Sequence, residues 1–491
     1  MILPSAFVVL CDEPAEAVIL DDCACPTPFP PMALKTKLPP LLQRHAMLQW
    51  LVLDDEYRVA FVPSYSRVAV LNQATAALLD SFETARGWQS HTGAQIEALE
   101  GCYRVGLLTA GEHTIPTPQP SDTLVAWLHV TNACNLRCTY CYVAKTDEAM
   151  TTDTAFAAIE AILRSARANG YRHVMVKYAG GEASLNLPLV ALAHAYACRR
   201  AGEESIRLEG GLLSNGTALT HARLRQIQSL GLRLMISLDG TREIHDRQRP
   251  MIGGRGSFQA TVAGIERALQ IGLVPDISIT VTGQSVAGLP ELLRWVLARE
   301  LRFSLNFYRP TDGSSTFTEL QLDEQQLISG MRAAYAVIAE CPPRRSILGA
   351  LLDRASLSAA HQRACAVGEN YLVIDHQGRV AKCQMQLDRP VTTIEVHDPL
   401  ALIRADQIGV QNLPVDQKAG CRTCEWRYWC AGGCAVATFR ATGRYDVKSP
   451  NCAIYKALYP DVLRLEGLRL LYHHQLGVAA GGAFLDSNRS V

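Results

Sequence analysis

The chain has 491 residues, 48% of them apolar, with 47 basic and 47 acidic side chains and no formal net charge. That length exceeds one ordinary core and implies about two to four domains, and the balanced charge argues against a nucleic-acid or anionic-membrane partner. No uncharged apolar run reaches the roughly 18 residues that a membrane helix needs, and the start "MILPSAFVVLCDEPAEA" lacks the basic lead of a signal peptide, so the sequence reads as cytoplasmic.

Residues 1–50 read as an N-terminal extension containing a proline-rich connector, "DCACPTPFPPMALKTKLPP". A small α/β module is placed at 51–115. In it, "YRVAFVPSYSRVAVLN" alternates apolar and polar residues in two runs and predicts a hairpin. "NQATAALLDSFE" opens on an Asn cap with helical periodicity, and "AQIEALEGCYRVGLLTA" continues in that style. "GEHTIPTPQPSD" (111–122) has the composition of a linker.

From 123 to 341 the pattern becomes strand–helix alternation. Strands are predicted at 125–130, 173–180, 206–215, 232–240, 275–283 and 302–310, with helices near 151–169, 187–203, 219–230, 257–271, 287–300 and 323–340. Alternation of this kind predicts a parallel sheet with helices outside, and six units suit an open, partial (β/α)6 barrel, whose functional groups gather at the C-terminal strand ends. From 342 to 491 the chain is irregular and cysteine-rich before a final helical run, "KALYPDVLRLEGLRLLYHHQL".

Sixteen cysteines are many for a reducing compartment, where clustered cysteines point to metal or redox chemistry. Ten fall in ordered spacings. The other six, Cys11, Cys23, Cys25, Cys102, Cys198 and Cys341, read as small buried hydrophobes.

"CNLRCTYCY" places Cys134, Cys138 and Cys141 just after the first predicted barrel strand. Three thiolates can hold three irons of a cubane cluster and leave the fourth iron open; a zinc knot or unrelated core cysteines are the alternatives. The spacing, with Tyr140 as the aromatic, resembles the C-x3-C-x-(aromatic)-C signature of radical S-adenosylmethionine enzymes. The resemblance implies a [4Fe–4S] cluster whose open iron chelates S-adenosylmethionine and, on one-electron reduction, yields a hydrogen-abstracting 5′-deoxyadenosyl radical. The family has "GGE" at the next strand end, matched here by Gly180, Gly181 and Glu182, which the resemblance assigns to the methionine ammonium group. "LLSNGT" and "SLDG" put Ser214, Asn215, Ser237 and Asp239 at the barrel mouth, where contacts to the carboxylate and ribose are implied; turn and cap chemistry is the alternative. "HDRQRPMIGGRGSF" also resembles a block of the family. Its His245, Asp246 and Arg249 read as a surface turn, with an active-site position as the alternative, and Ser257 is placed as the cap of the next helix.

The C-terminal region spaces Cys365, Gly378, Cys383, Cys421, Cys424, Cys430, Cys434 and Cys452 in the register of the SPASM domain, an extension found on peptide-modifying radical enzymes. The resemblance implies two auxiliary iron–sulfur clusters, one held by Cys421, Cys424, Cys430 and Cys452, the other by Cys365, Cys383 and Cys434. Some relatives carry a further cysteine where Tyr371 stands, so the second site is open, takes a non-cysteine ligand, or is completed by a distant group such as Cys341. A pair of zinc sites is the alternative. The aromatics of "EWRYWCAGGC" would exclude water beside the ligands.

Residues 51–115 resemble the RiPP recognition element, a winged-helix-like module that binds leader peptides of ribosomally made natural products, often as an added strand. Together the resemblances imply an oxidoreductase that modifies a precursor peptide (leader and core), by a thioether or a carbon–carbon or carbon–oxygen crosslink, fed by an electron donor such as flavodoxin or ferredoxin. Alternatives are peptide epimerisation, formylglycine formation as in sulfatase-maturing enzymes, or a non-catalytic electron-transfer or peptide-binding scaffold. Those maturing relatives have Asp directly after the cysteine matching Cys383, where this chain has Gln384. No catalytic general base is legible.

Overall fold

The computed structural model describes residues 8–10, 37–63, 68–111, 121–311, 317–353, 355, 357 and 360–486. Cys11, Cys23, Cys25, nearly all of the proline-rich connector, the tip of the predicted hairpin and most of the linker lie outside them.

The N-terminal part runs β1 (Val8–Leu10), β2 (Leu41–Arg44), β3 (Gln49–Val52), β4 (Tyr57–Phe61), β5 (Val68–Asn72), α1 (Gln73–Asp80), β6 (Arg86–Gly87), α2 (Gly93–Arg104) and β7 (Leu108–Thr109). β4 and β5 form the predicted antiparallel hairpin, within a sheet ordered β1–β5–β4–β3. α1 begins where the Asn72 side chain accepts the Thr75 amide at 2.9 Å, the predicted cap. Residues 41–50, read above as extension, help complete this module: β3, which straddles residue 50, pairs β4, and β2 pairs both β6 and β7.

Next come β8 (Thr123–His129), α3 (Thr152–Ala168), β9 (His173–Ala179), α4 (Leu187–Glu203), β10 (Arg207–Ser214), α5 (His221–Ser229), β11 (Arg233–Ser237), α6 (Arg242–Gln248), α7 (Phe258–Gln270), β12 (Asp276–Val281), α8 (Leu289–Leu297), β13 (Arg302–Phe307) and α9 (Glu324–Glu340). Neighbouring strands from β8 to β13 are all parallel, and the sheet does not close. The six strands and six of the helices stand where the alternation puts them; the short α6 was not foreseen.

The C-terminal part adds β14 (Tyr371–Ile374), β15 (Arg379–Ala381), β16 (Thr392–Thr393), α10 (Pro399–Ala405), α11 (Arg427–Cys430), α12 (Ala435–Thr442) and α13 (Cys452–Asp486). β14 pairs in parallel with β8, so the barrel sheet continues without a break into the cysteine-rich region, in the order β13–β12–β11–β10–β9–β8–β14–β15–β16. The period of two along β8 then divides the core. Leu124, Ala126 and Leu128 join the large core beneath the helices, while Val125 and Trp127 face the other way, into a smaller core that contains Cys365, Cys383 and Cys434. α13 closes the molecule over the N-terminal module: Arg464 donates to the carbonyls of Val52 and Leu53 at 3.1 and 2.6 Å.

Candidate active site

The segment after β8 carries Cys134, Cys138 and Cys141, and it has almost no regular structure of its own. Neighbouring backbone holds it. Val130 and Met150 join its two ends, with Met150 N donating to Val130 O at 2.9 Å. Its middle is stitched to the stretch after α6: Arg137 N donates to Pro250 O at 2.7 Å, Thr139 N to Gln248 O at 2.9 Å, and Ile252 N to Asn135 O at 3.0 Å. The "HDRQRPMIGG" block is therefore the backbone partner of the cysteine loop. Its side chains are also engaged. His245 and Arg249 are buried, which corrects the surface-turn reading. A surface turn needs its polar groups in water, whereas Arg249 bonds the Tyr140 hydroxyl and stands 3.4 Å from Asp239. Tyr140 in turn donates to Asp239, whose other oxygen accepts the Thr280 amide at 2.9 Å. Burial pushes the Tyr140 hydroxyl well above its usual pKa, with Arg249 opposing and Asp239 and Cys138 adding to the rise. His245 accepts the Asp239 amide at 3.2 Å and is pushed below the usual range by burial and then by Arg249. Asp246 caps α7, accepting the Phe258 amide at 2.7 Å; Ser257, expected to do so, instead donates to Arg249 O at 2.5 Å.

Gly180 and Gly181 follow β9 and lie directly under the loop. A Cβ on Gly180 would collide with the Thr131 carbonyl, and one on Gly181 with the carbonyls of Asn132 and Ala133. Gly181 N and Glu182 N donate to Thr131 O and Ala133 O at 2.7 and 2.9 Å. The two glycines thus let the cysteine loop seat on the strand end. The buried Glu182 carboxylate accepts from Ser184 N at 3.1 Å, Ser214 Oγ at 2.7 Å and Asn215 N at 2.6 Å. Asn215 reaches back to Asn135 Oδ1 at 2.8 Å and lies 4.0 Å from Cys134 Sγ. Ser237 is half-buried at the end of β11. Every barrel-mouth residue named from sequence is thus at these adjoining strand ends, and Glu182 and Asp239 are committed to protein partners that fix the loop.

Burial raises the Cys134 thiol, opposed by Lys145 and the Leu136 amide, and burial pushes Cys138 up to about 12, opposed by Arg249 and reinforced by Cys141 and Cys134. Donors already face the sulfurs: Lys145 Nζ at 3.0 Å from Cys141 Sγ, and Leu136 N at 3.4 Å and Asn215 Nδ2 at 4.0 Å from Cys134 Sγ.

Residues 128–296, which span this loop, the glycine turn and the Tyr140–Asp239–Arg249 group, match the model of the Radical SAM superfamily. The chain carries a radical SAM domain. It is 24% identical over 347 residues to the serine-type anaerobic sulfatase-maturating enzyme of Klebsiella aerogenes, covering 67% of this chain and 83% of the relative. It is 26% identical over 181 residues to the Fe-coproporphyrin III synthase of Methanosarcina barkeri, where the match covers 37% of this chain and 42% of that relative's length. Among solved structures, native anSMEcpe with bound AdoMet and the Cp18Cys peptide superposes with a TM-score of 0.57 at 16% identity, over 70% of this chain and 98% of that one; the likeness is one of fold.

A radical SAM domain works with a [4Fe–4S] cluster and S-adenosylmethionine, and the residues present fit them. Among the described residues no group of Cys, His, Asp or Glu side chains closes the shell of a single metal ion. Cubane thiolates sit on separate irons, and Cys134, Cys138 and Cys141 on one loop offer the three thiol donors that three irons of such a cluster take.

The second array divides in two. Cys421, Cys424, Cys430 and Cys452 line one cavity, together with Trp426, Tyr455 and Tyr459. Trp426 lies 5.0 Å from Tyr459 and 5.3 Å from Trp429, ring centre to ring centre, so of the aromatics of "EWRYWCAGGC" Trp426 lines this cavity with Trp429 packed against it, and the other lining rings come from α13. Burial pushes Cys421 up to about 11. Cys365, Cys383 and Cys434 share the other core, against the inner face of β8 and β9. There Asn412 Nδ2 stands 3.6 Å from Cys365 Sγ, and Tyr371 donates to Gln384 Oε1 at 3.1 Å. Cys341 ends α9 exposed and outside that core, so it does not complete this set. Of the remaining cysteines, Cys102 is buried as expected; Cys198 and Cys341 are exposed, against expectation, because each sits at an outward position of a helix or its end.

Sequence reasoning missed Asn135, Lys145 and Lys418. Asn135 lies within the cysteine motif itself, a usable signal. Lys418 has none, because its burial depends on a turn fixed by residues distant in sequence.

Proposed function

We propose that this chain is a radical SAM peptide maturase that oxidatively crosslinks a ribosomally made precursor peptide. In this reading Cys134, Cys138 and Cys141 hold the [4Fe–4S] cluster, and the two C-terminal sets hold auxiliary clusters. The observation that carries it is the convergence of Cys421, Cys424, Cys430 and Cys452, drawn from separate turns and the start of α13, on one aromatic-walled cavity. A plain hydrogen-abstracting enzyme has no need of such sites, whereas net oxidation must send an electron somewhere.

When bound, the cluster with S-adenosylmethionine supplies a hydrogen-abstracting 5′-deoxyadenosyl radical. The chain's own residues supply position. Arg249 and Asp239 hold Tyr140, and with it the loop between Cys138 and Cys141. Glu182 ties the end of β9 to the end of β10. Lys145 and the Leu136 amide donate to sulfur, which favours the thiolate forms that ligate iron. The inner face of β8 runs from this loop to Cys365 and Cys383 and offers an enclosed route between sites. The position of β3 at a sheet edge supports leader binding by strand addition to the N-terminal module.

Anaerobic reconstitution with iron, sulfide, S-adenosylmethionine and dithionite, with the precursor encoded nearby, tests this. The expected result is 5′-deoxyadenosine together with a peptide lighter by a pair of hydrogens and resistant to aldehyde probes. No 5′-deoxyadenosine, with or without peptide, would sink it. The second reading, formylglycine formation, is supported by the similarity to the Klebsiella aerogenes sulfatase-maturating enzyme over 67% of this chain. It predicts an aldehyde-reactive product from a Cys or Ser peptide. Against it stands Gln384, whose amide cannot take a proton as a carboxylate can.

A further inference from the structure

The two C-terminal cysteine sets come closest in sequence at Cys430 and Cys434, and the residues between them are unusual. Ala431, Gly432 and Gly433 all lie in the left-handed region, with φ of 44, 76 and 69°. For alanine this backbone is unfavourable and persists only where surroundings enforce it. Gly433 N closes the strap on Cys430 O at 2.7 Å.

Lys418 enforces it from the other side. Its Nζ donates to Ala431 O at 2.8 Å, and its stem fills the space over Gly432, where a Cβ would come 2.5 Å from Lys418 Cδ and 2.9 Å from Nζ. The side chain is only 2% exposed. A lone buried ammonium is expensive unless negative charge faces it. The thiols it acts on belong to both sets: Cys421 and Cys430 from one, Cys365 and Cys434 from the other. Burial lowers the Lys418 pKa and these thiols oppose that fall. Clusters ligated by these thiolates carry the negative charge that such a cation requires.

We propose that Lys418 is a positioning residue shared by both auxiliary sites: its ammonium fixes the Ala431–Gly433 strap and raises the reduction potentials of both clusters together. A fixed positive charge favours the more negative, reduced state of each cluster, so it makes both better electron acceptors. This rests on the assignment of clusters to these cysteines.

The test is a redox titration of the fully loaded protein followed by electron paramagnetic resonance, on wild type, Lys418→Met, Lys418→Gln and Lys418→Arg, with iron counted for each. Wild type without auxiliary clusters would overturn the cluster assignment itself. Given clusters in wild type, Lys418→Met and Lys418→Gln are expected to lower both auxiliary potentials or to lose iron from both sets, leaving the signal of the Cys134–Cys138–Cys141 site unchanged. Lys418→Arg is expected to keep iron and potentials near wild type. Unmoved potentials at full iron content, a change confined to one set, or a Lys418→Arg protein as defective as the neutral variants would each overturn the inference.

Discussion

At the scale of single residues, the site depends on buried charge that is paired. Asp239 is 1% and Arg249 7% exposed, and the Tyr140 hydroxyl lies between them. Breaking such a group by removing one partner strands the other in the interior. Arg249→Met is therefore expected to destabilise the iron-free protein by about 3–5 kcal/mol in urea unfolding, with the Tyr140 segment losing protease resistance first; a loss within 0.5 kcal/mol would show that water reaches Asp239. His129 gives a pH signature. Burial pushes it from 6.5 down to about 4. The unfolded chain then binds a proton in that window that the folded chain refuses. Stability is complete above about pH 6.5 and is lost as the pH falls toward 4, by up to about 3 kcal/mol from this group. His245, also pushed down by burial, acts in the same direction. His129→Gln should flatten the pH 4–6.5 slope of the unfolding free energy by its own share, leaving that of His245; an unchanged slope would mean that His129 titrates normally.

At the scale of elements, the strand ends and the loop above them form one unit. The paired glycines after β9 are readable from sequence, and a glycine pair suggests close approach. What approaches is the loop's own backbone at Thr131–Ala133. Gly181→Ala must push that backbone away. It is expected to cost about 1–3 kcal/mol and to lower iron incorporation at the three-cysteine site while the C-terminal clusters remain, measured as iron per chain and by the spectrum of the reduced protein. Retained iron at wild-type stability would show that the loop relaxes freely. The N-terminus of α7 carries a related lesson. Serine at the cap position suggested the cap, yet Asp246, back in the preceding helix α6, takes the amide instead. A cap is decided by which acceptor the fold brings within reach, and a local motif does not record α6 folding back.

At the scale of the whole molecule, one sheet carries both the Cys134–Cys141 loop and the inner face that holds Cys365 and Cys383. β14 adds to β8, and the hairpin β14–β15 delivers Cys383 to the inner face. The stretch from Cys421 to Cys452 has only short helices and turns, with cysteines, Trp426 and Trp429 as much of its interior. In the proposed reading its order therefore depends on bound clusters more than that of the barrel does. Removing iron by chelation is expected to raise amide exchange across residues 415–452 while β9 to β12 keep their protection, seen by hydrogen-exchange mass spectrometry. Equal loosening of barrel and C-terminal region would contradict this.

The sequence alone determined the alternating strands and helices of the barrel, the Asn72 cap, the C-x3-C-x2-C loop and the spacing of the C-terminal cysteines. These follow from local periodicity and from covalent order along the chain, which a linear reading preserves. Only the tertiary structure decided that Arg249 is buried against Tyr140 and Asp239, that Glu182 holds the end of β10, that β14 extends the barrel sheet, and that Lys418 is buried against the Ala431–Gly433 strap. Each of these is a contact between segments separated in sequence. Its partner is chosen by burial and by the need to pair buried polar groups, conditions that exist only once the chain has closed around them.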